Sequence, residues 1–127
     1  MNNSIDGVLP YFADGGGIYT QSNMHGTVIS GNFIQNDGNR YGVIYTDGAT
    51  TLIVRDNVMN HGNAPCLFLH GGGSFEVGDM WYNDTHNASL CCGAVPKGAP
   101  WPAHALGPGL PWPPAAQAII DNAGRRV

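Results

Sequence analysis

Charged side chains are scarce in this chain of 127 residues, where Asp, Glu, Lys and Arg make up 11% against about a quarter in an ordinary globular protein. A surface of helices laced with ion pairs is thereby excluded. Basic residues are the rarer kind, five against nine acidic ones for a net charge of -4, so there is no positive footprint for nucleic acid. Cysteine occurs three times. Two copies are adjacent, Cys91 and Cys92, and only Cys66 lies apart, which excludes a closed disulfide framework. No apolar run approaches the roughly 20 residues that cross a bilayer, so no membrane partner is expected. The opening Met1-Asn2-Asn3-Ser4-Ile5-Asp6 has neither the basic start nor the apolar centre of a secretion signal. It reads as a cytosolic product or a fragment of a larger gene, and the compartment stays open.

Turn formers are plentiful instead. The 19 Gly and 9 Pro, with many Asn and Asp, favour short strands joined by tight turns and exclude a helical bundle. The length suits one domain over residues 1–127.

Three segments share one grammar. The first is Gly17-Ile18-Tyr19-Thr20, a turn-rich gap, then Thr27-Val28-Ile29-Ser30-Gly31-Asn32-Phe33-Ile34. The second is Val43-Ile44-Tyr45-Thr46, a gap, then Leu52-Ile53-Val54-Arg55-Asp56-Asn57-Val58-Met59. The third is looser: Cys66-Leu67-Phe68-Leu69, a Gly-rich turn, then Ser74 to Tyr82. A unit of about two dozen residues recurs, built of β-prone runs without a helical apolar stripe. A fixed period with matching residues favours parallel stacking, like upon like at about 4.8 Å. Ile18, Ile44 and Leu67 then form one inward column, and Thr20, Thr46 and Leu69 another. Tyr19, Tyr45 and Phe68 form an outward aromatic column. Asn32 and Asn57 fall at one bend, where an Asn tolerates left-handed backbone and its amide bonds to the amide above, while Met80 ends that ladder.

The phrases Asp14-Gly-Gly-Gly-Ile-Tyr-Thr, Gly31-Asn32-Phe-Ile, Ile44-Tyr-Thr-Asp-Gly-Ala-Thr and Asp56-Asn57-Val-Met resemble the right-handed parallel β-helix proteins of the pectate-lyase-like superfamily. The resemblance covers roughly residues 14–83, and the segment from Trp112 to Gly124 looks like the C-terminal end of large bacterial carbohydrate-active proteins of this class. It implies an all-β fold, a short right-handed parallel β-helix of about three coils over residues 14–85. Residues 1–13 are expected to cover its first coil, with Ile5 to Phe12 as an added strand. Residues 86–113 read as an irregular Pro/Gly-rich strap. Pro114 to Gly124 read as one short helix, with Pro at its start and Gly at its stop, expected to cap the last coil.

Continuing the column by two residues sets Gln21, Asp47 and His70 beside one another on consecutive coils. Aromatic faces beside polar and acidic groups are what a sugar groove needs, because ring faces sit on aromatics and hydroxyls take directional hydrogen bonds. Tyr19, Gln21, Tyr45 and Phe68 are therefore the expected substrate-binding residues, with a polysaccharide or oligosaccharide as partner. Glycoside hydrolysis needs two carboxylates. Asp14 and Asp47 are the obvious pair, but an extended chain separates them by about 20 Å, so only a sharply bent turn unites them. Asp47 with His70 is the easier acid/base pair. A uronate lyase needs a cation beside its base, and Arg40 and Arg55 both lie off this column. Cys66, His70, His86, Cys91 and Cys92 match no standard zinc spacing, so no metal or other cofactor is expected. The runner-up to a hydrolase is a noncatalytic binding or assembly module from a larger enzyme. An open first coil also predicts a homodimer or small closed oligomer.

Overall fold

The computed structural model describes residues 1–8, 14–37, 41–62, 67–70, 75–83, 103–106 and 109–125. In chain order the strands are β1 (Ser4–Asp6), β2 (Ile18–Ser30), β3 (Phe33–Asp37), β4 (Ile44–Arg55), β5 (Asn57–Gly62), β6 (Leu67–His70), β7 (Phe75–Val77), β8 (Met80–Asn83) and β9 (Ala103–Leu106). One helix follows, α1 (Pro114–Asn122). The chain is predominantly β, and every strand pairing among the described residues is parallel. Its path alternates between two sheets. One has the order β1-β3-β5-β8-β9, and the other has β2-β4-β6, with β7 on the second half of the long β4.

Like does sit on like. Ile18, Ile44 and Leu67 are in register, as are Tyr19, Tyr45 and Phe68, then Thr20, Thr46 and Leu69, then Gln21, Asp47 and His70. The inward columns of the two sheets meet in one apolar core containing Ile29, Ile34, Ile44, Leu52, Val54, Leu67, Leu69 and Met80. Each of those side chains removes about 1.5–3 kcal/mol worth of apolar surface from water, which drives the alternating strands together.

At the corner between the sheets runs a ladder of asparagines. Asn57 is fully buried, and its Oδ1 accepts from Asn32 Nδ2 at 2.8 Å and from the Asn32 backbone N–H at 3.2 Å. Asn32 Oδ1 in turn accepts from Asn3 Nδ2 at 2.9 Å. The ladder stops where Met80 lies opposite Asn57. Left-handed backbone falls one residue earlier than expected, on Asn2 (φ 59), Gly31 (φ 69) and Asp56 (φ 53), rather than on the ladder Asn itself. The preceding residue makes the turn, and the Asn keeps strand geometry so that its amide points inward.

The N-terminal segment does add a strand, β1 at Ser4–Asp6 on β3, with Ile5 opposite Ile34 and Asn3 joining the ladder; residues 9–13 lie outside the described ones. Two expectations need correction. Within the expected strap, Ala103–Leu106 forms β9 on β8, so three units undercount the strands at both ends. The helix does not cap the last layer. It lies across the outer face of the first sheet, where Ala116, Ile119, Ile120 and Trp112 pack with Phe33, Val58 and Trp81, and just past its end Gly124 N–H donates to Asn2 O at 2.8 Å. Nine helical residues span about 13.5 Å, close to the three strand spacings of about 4.8 Å between β8 and β1. Phe33, Val58 and Trp81 occupy one register on that face, which leaves an outward apolar column that only such a cross-strand element covers.

Candidate functional site

The site is built on the outward face of the second sheet, where parallel register stacks side chains from β2, β4 and β6. Strand alternation sends Tyr19, Tyr45 and Phe68 outward, and the next outward position two residues on carries Gln21, Asp47 and His70. After Asp47 the chain turns at Gly48, φ 62, a conformation that an L side chain resists. That bend, inside β4, holds the carboxylate at the end of the run that pairs with β6.

Asp47 gathers its neighbours. Its Oδ2 accepts from the Tyr19 hydroxyl at 2.5 Å, and its Oδ1 is 2.8 Å from His70 Nδ1. Hydrogen bonds from Tyr19, then from His70, hold the Asp47 carboxyl below the usual carboxylate range, with a smaller contribution from Tyr45. A carboxylate only accepts, so His70 Nδ1 carries the proton in this contact, and Nε2 is left to exchange protons with a ligand. The bond to Asp47 pushes the Tyr19 phenol up to about 12, with desolvation and the charges of Asp47, Tyr45 and Asp14 adding to it. Burial raises the Tyr45 phenol, and the charges of Asp47 and Asp14 reinforce it.

The aromatic column is graded. Tyr45 is 6% and Phe68 7% exposed, so their faces are covered, whereas Tyr19 is 42% and Tyr41 40% exposed. Tyr45 packs edge-on against Tyr19 at 5.0 Å and against Phe68 at 4.8 Å between ring centres, and Phe68 stacks on His70 at 5.8 Å and 10°. Tyr45 and Phe68 thus brace the rings of Tyr19 and His70. Tyr41, 5.9 Å from Tyr45 and 5.8 Å from Phe68, is the exposed aromatic missing from the sequence reading. Its one signal is an aromatic four residues ahead of Tyr45, on the same face of an extended run.

Beside Tyr19 lies a cavity of about 450 Å³ lined by Val8, Asp14, Gly15, Gly16 and Tyr19. Asp14 is exposed, and its charge reaches both phenols, so it belongs to the same face although it makes no part of the Tyr19, Asp47 and His70 hydrogen-bonded row. Gln21 is exposed, opposite Asp47 in the ladder, at the point where the β2–β4 register begins to shift. Among the described residues no group of three or more His, Cys, Asp and Glu is placed to hold a metal. Of the zinc-type residues weighed above, Cys66, His86, Cys91 and Cys92 lie outside the described ones.

Chemically, this face offers a fixed anion, a neutral phenol donor, an oriented imidazole and two exposed rings beside an acidic cavity. Comparison with family models, with curated proteins and with solved structures finds no match to this chain.

Proposed function

We propose that the chain is a short parallel β-helix of the pectate-lyase-like kind that binds a polysaccharide or oligosaccharide along the Tyr19, Asp47 and His70 face. The single observation that carries the reading is the hydrogen-bonded row from Tyr19 through Asp47 to His70 across three successive strands. Rows of this kind present donors and acceptors at one strand spacing, about 4.8 Å, close to the length of a sugar ring. Tyr19 and Tyr41 supply apolar faces for ring stacking, and Asp14 and Gln21 supply hydroxyl partners. Isothermal titration against a panel of soluble oligosaccharides tests it. Binding by the wild type, weakened about tenfold or more by Tyr19→Ala, corresponds to about 1.4 kcal/mol; absence of binding across neutral and acidic sugars rejects the reading.

A second reading is glycoside hydrolysis, and the His70 to Asp47 contact favours it. Asp47, held as an anion, orients His70 rather than donating a proton, so Nε2 of His70 takes a proton from the water that attacks the anomeric carbon, while Asp14, which lines the cavity, gives its proton to the glycosidic oxygen as the bond from that oxygen to the anomeric carbon breaks. Release of reducing ends, lost in His70→Ala and Asp47→Asn by far more than their weakened oligosaccharide binding accounts for, separates cleavage from binding alone.

A further inference from the structure

Charge of one sign gathers beside Tyr19. Asp14 lines the cavity of about 450 Å³ next to that ring, a volume within the about 300–1,000 Å³ of small-molecule sites. Glycine keeps the space open. A Cβ on Gly16, which lines the same cavity, would meet Gly42 O at 2.7 Å and Tyr45 Cβ at 3.2 Å, so bare backbone lies between the carboxylate and the ring. Asp47 is the second carboxylate of this face, and both of its oxygens are engaged, one by the Tyr19 hydroxyl and the other by His70 Nδ1. Asp14 differs. Among the described residues no hydrogen bond or ion pair engages it, and its charge reaches the phenols of both Tyr19 and Tyr45. The described arginines stand elsewhere, Arg55 beside Asp56 at 3.8 Å and Arg125 at the cavity by the end of α1. Arg40, Lys97 and Arg126 lie outside the described residues.

We propose that this cavity takes the protonated amine of an amino sugar, so that the saccharide preferred on this face is a hexosamine oligomer with free amines and not a uronate. The inference rests on the binding reading above, in which Asp14 acts as a carboxylate. A sugar ammonium suits the cavity on two counts. It carries donors and no acceptor, the complement of a carboxylate whose lone pairs are open. A cation is also drawn to the face of a phenol, and the Tyr19 ring, 42% exposed, lines the same cavity while its hydroxyl is tied to Asp47. A neutral sugar finds only hydrogen bonds there. A uronate brings a further carboxylate to a face that already holds two, where the basic side chain described, His70, already donates its Nδ1 proton to Asp47. Acetylation of the amine removes its charge, so the acetylated oligomer shares the ring and linkage of the proposed ligand without its cation.

Isothermal titration with β-1,4-linked tetramers of glucosamine, N-acetylglucosamine, glucose and glucuronate tests it. At low salt glucosamine should bind tightest, about tenfold tighter than glucose or the acetylated sugar, and glucuronate weakest; salt at about 0.5 M should narrow the gap. Asp14→Asn should bring glucosamine and glucose within about twofold of each other. Asp14→Lys should place glucuronate ahead of glucosamine. Residue 14 is exposed, so both variants should keep the wild-type circular dichroism spectrum. Glucosamine bound no tighter than glucose, or a preference that Asp14→Asn leaves intact, overturns the inference while the sugar reading stands. Absence of binding by all of these tetramers also overturns it, and the wider oligosaccharide panel then decides the sugar reading separately.

Discussion

Replacing Asn57 by leucine keeps the size of the side chain and removes its amide, so the loss reads polar satisfaction rather than a cavity. Four hydrogen bonds go. Asn57 Oδ1 no longer accepts from the backbone N–H and Nδ2 of Asn32, and its Nδ2 no longer donates to Ile29 O at 3.0 Å or Arg55 O at 2.9 Å. Asn32 and Asn57 are both buried, so no water replaces what is lost. Leaving a buried polar group unpaired costs about 1–3 kcal/mol. With two donors stranded on Asn32, the expected destabilisation is about 3 kcal/mol, a large share of the roughly 5–15 kcal/mol of a whole domain. In a urea titration with a slope near 2 kcal/mol/M, the midpoint should fall by about 1.5 M with the slope unchanged. Asn83 is the control. Its Nδ2 is 3.5 Å from Asn60 Oδ1 in a partly buried position, at the limit of a hydrogen bond, and Asn83→Leu should stay within about 0.5 kcal/mol. An Asn57→Leu loss below about 1 kcal/mol, or equal to that of Asn83→Leu, would refute the ladder as a source of stability.

Three other outcomes are expected. The Tyr19 phenol titrates near 12 because of Asp47; a raised pKa means that its contribution to the fold is complete below pH 10 and is lost as the pH passes about 12. Asp47→Asn should bring that step in tyrosinate absorbance back toward 10, and an unmoved step would remove Asp47 as the cause. Gly42→Ala places a Cβ 2.6 Å from Phe68 Cβ and 3.0 Å from Phe68 N, so thermal unfolding should register a loss of about 1–3 kcal/mol. Gly48→Ala meets open space and strains only φ 62, a cost of about 1 kcal/mol; equal losses at the two positions would contradict the packing account. Trp112→Ala withdraws a half-buried ring from the cluster under α1, so amide exchange over residues 114–122 should quicken while β4 stays protected. Unaltered exchange there would show that other contacts hold the helix.

Register was the most legible feature, because in a parallel stack identical or similar residues must recur at one period, and Ile18, Ile44 and Leu67 do. The meeting of Asp47 with His70 follows from that register, whereas the Tyr19 bond does not, because register sets Tyr19 opposite Tyr45 and its hydroxyl reaches Asp47 on the diagonal. Alternation, however, tells inward from outward and not whether outward side chains cover one another, which is why Tyr45 and Phe68 read as sugar contacts while their faces are closed. Ala103–Leu106 escaped notice because Ala-His-Ala-Leu has little β-propensity, and β8 supplies the template. The place of α1 was illegible for a related reason. Its apolar side needs a partner surface, and the column of Phe33, Val58 and Trp81 becomes visible only once the second sheet face has been assembled.

A stack whose layers touch only their neighbours can peel from either end, one layer at a time. The crossing of α1 over Trp81, Val58 and Phe33 to Asn2 changes the arithmetic of that process. The first strand then cannot leave without releasing the helix, and releasing the helix uncovers apolar surface on the middle strands. End and middle are thereby coupled, so loss of order at the first strand propagates through the sheet as one transition. Chain entropy works in the same direction, since the bond from Gly124 N–H to Asn2 O brings residues 2 and 124 together and closes the loop between them. The layers behave less like a pile of cards than like a book held shut by its spine.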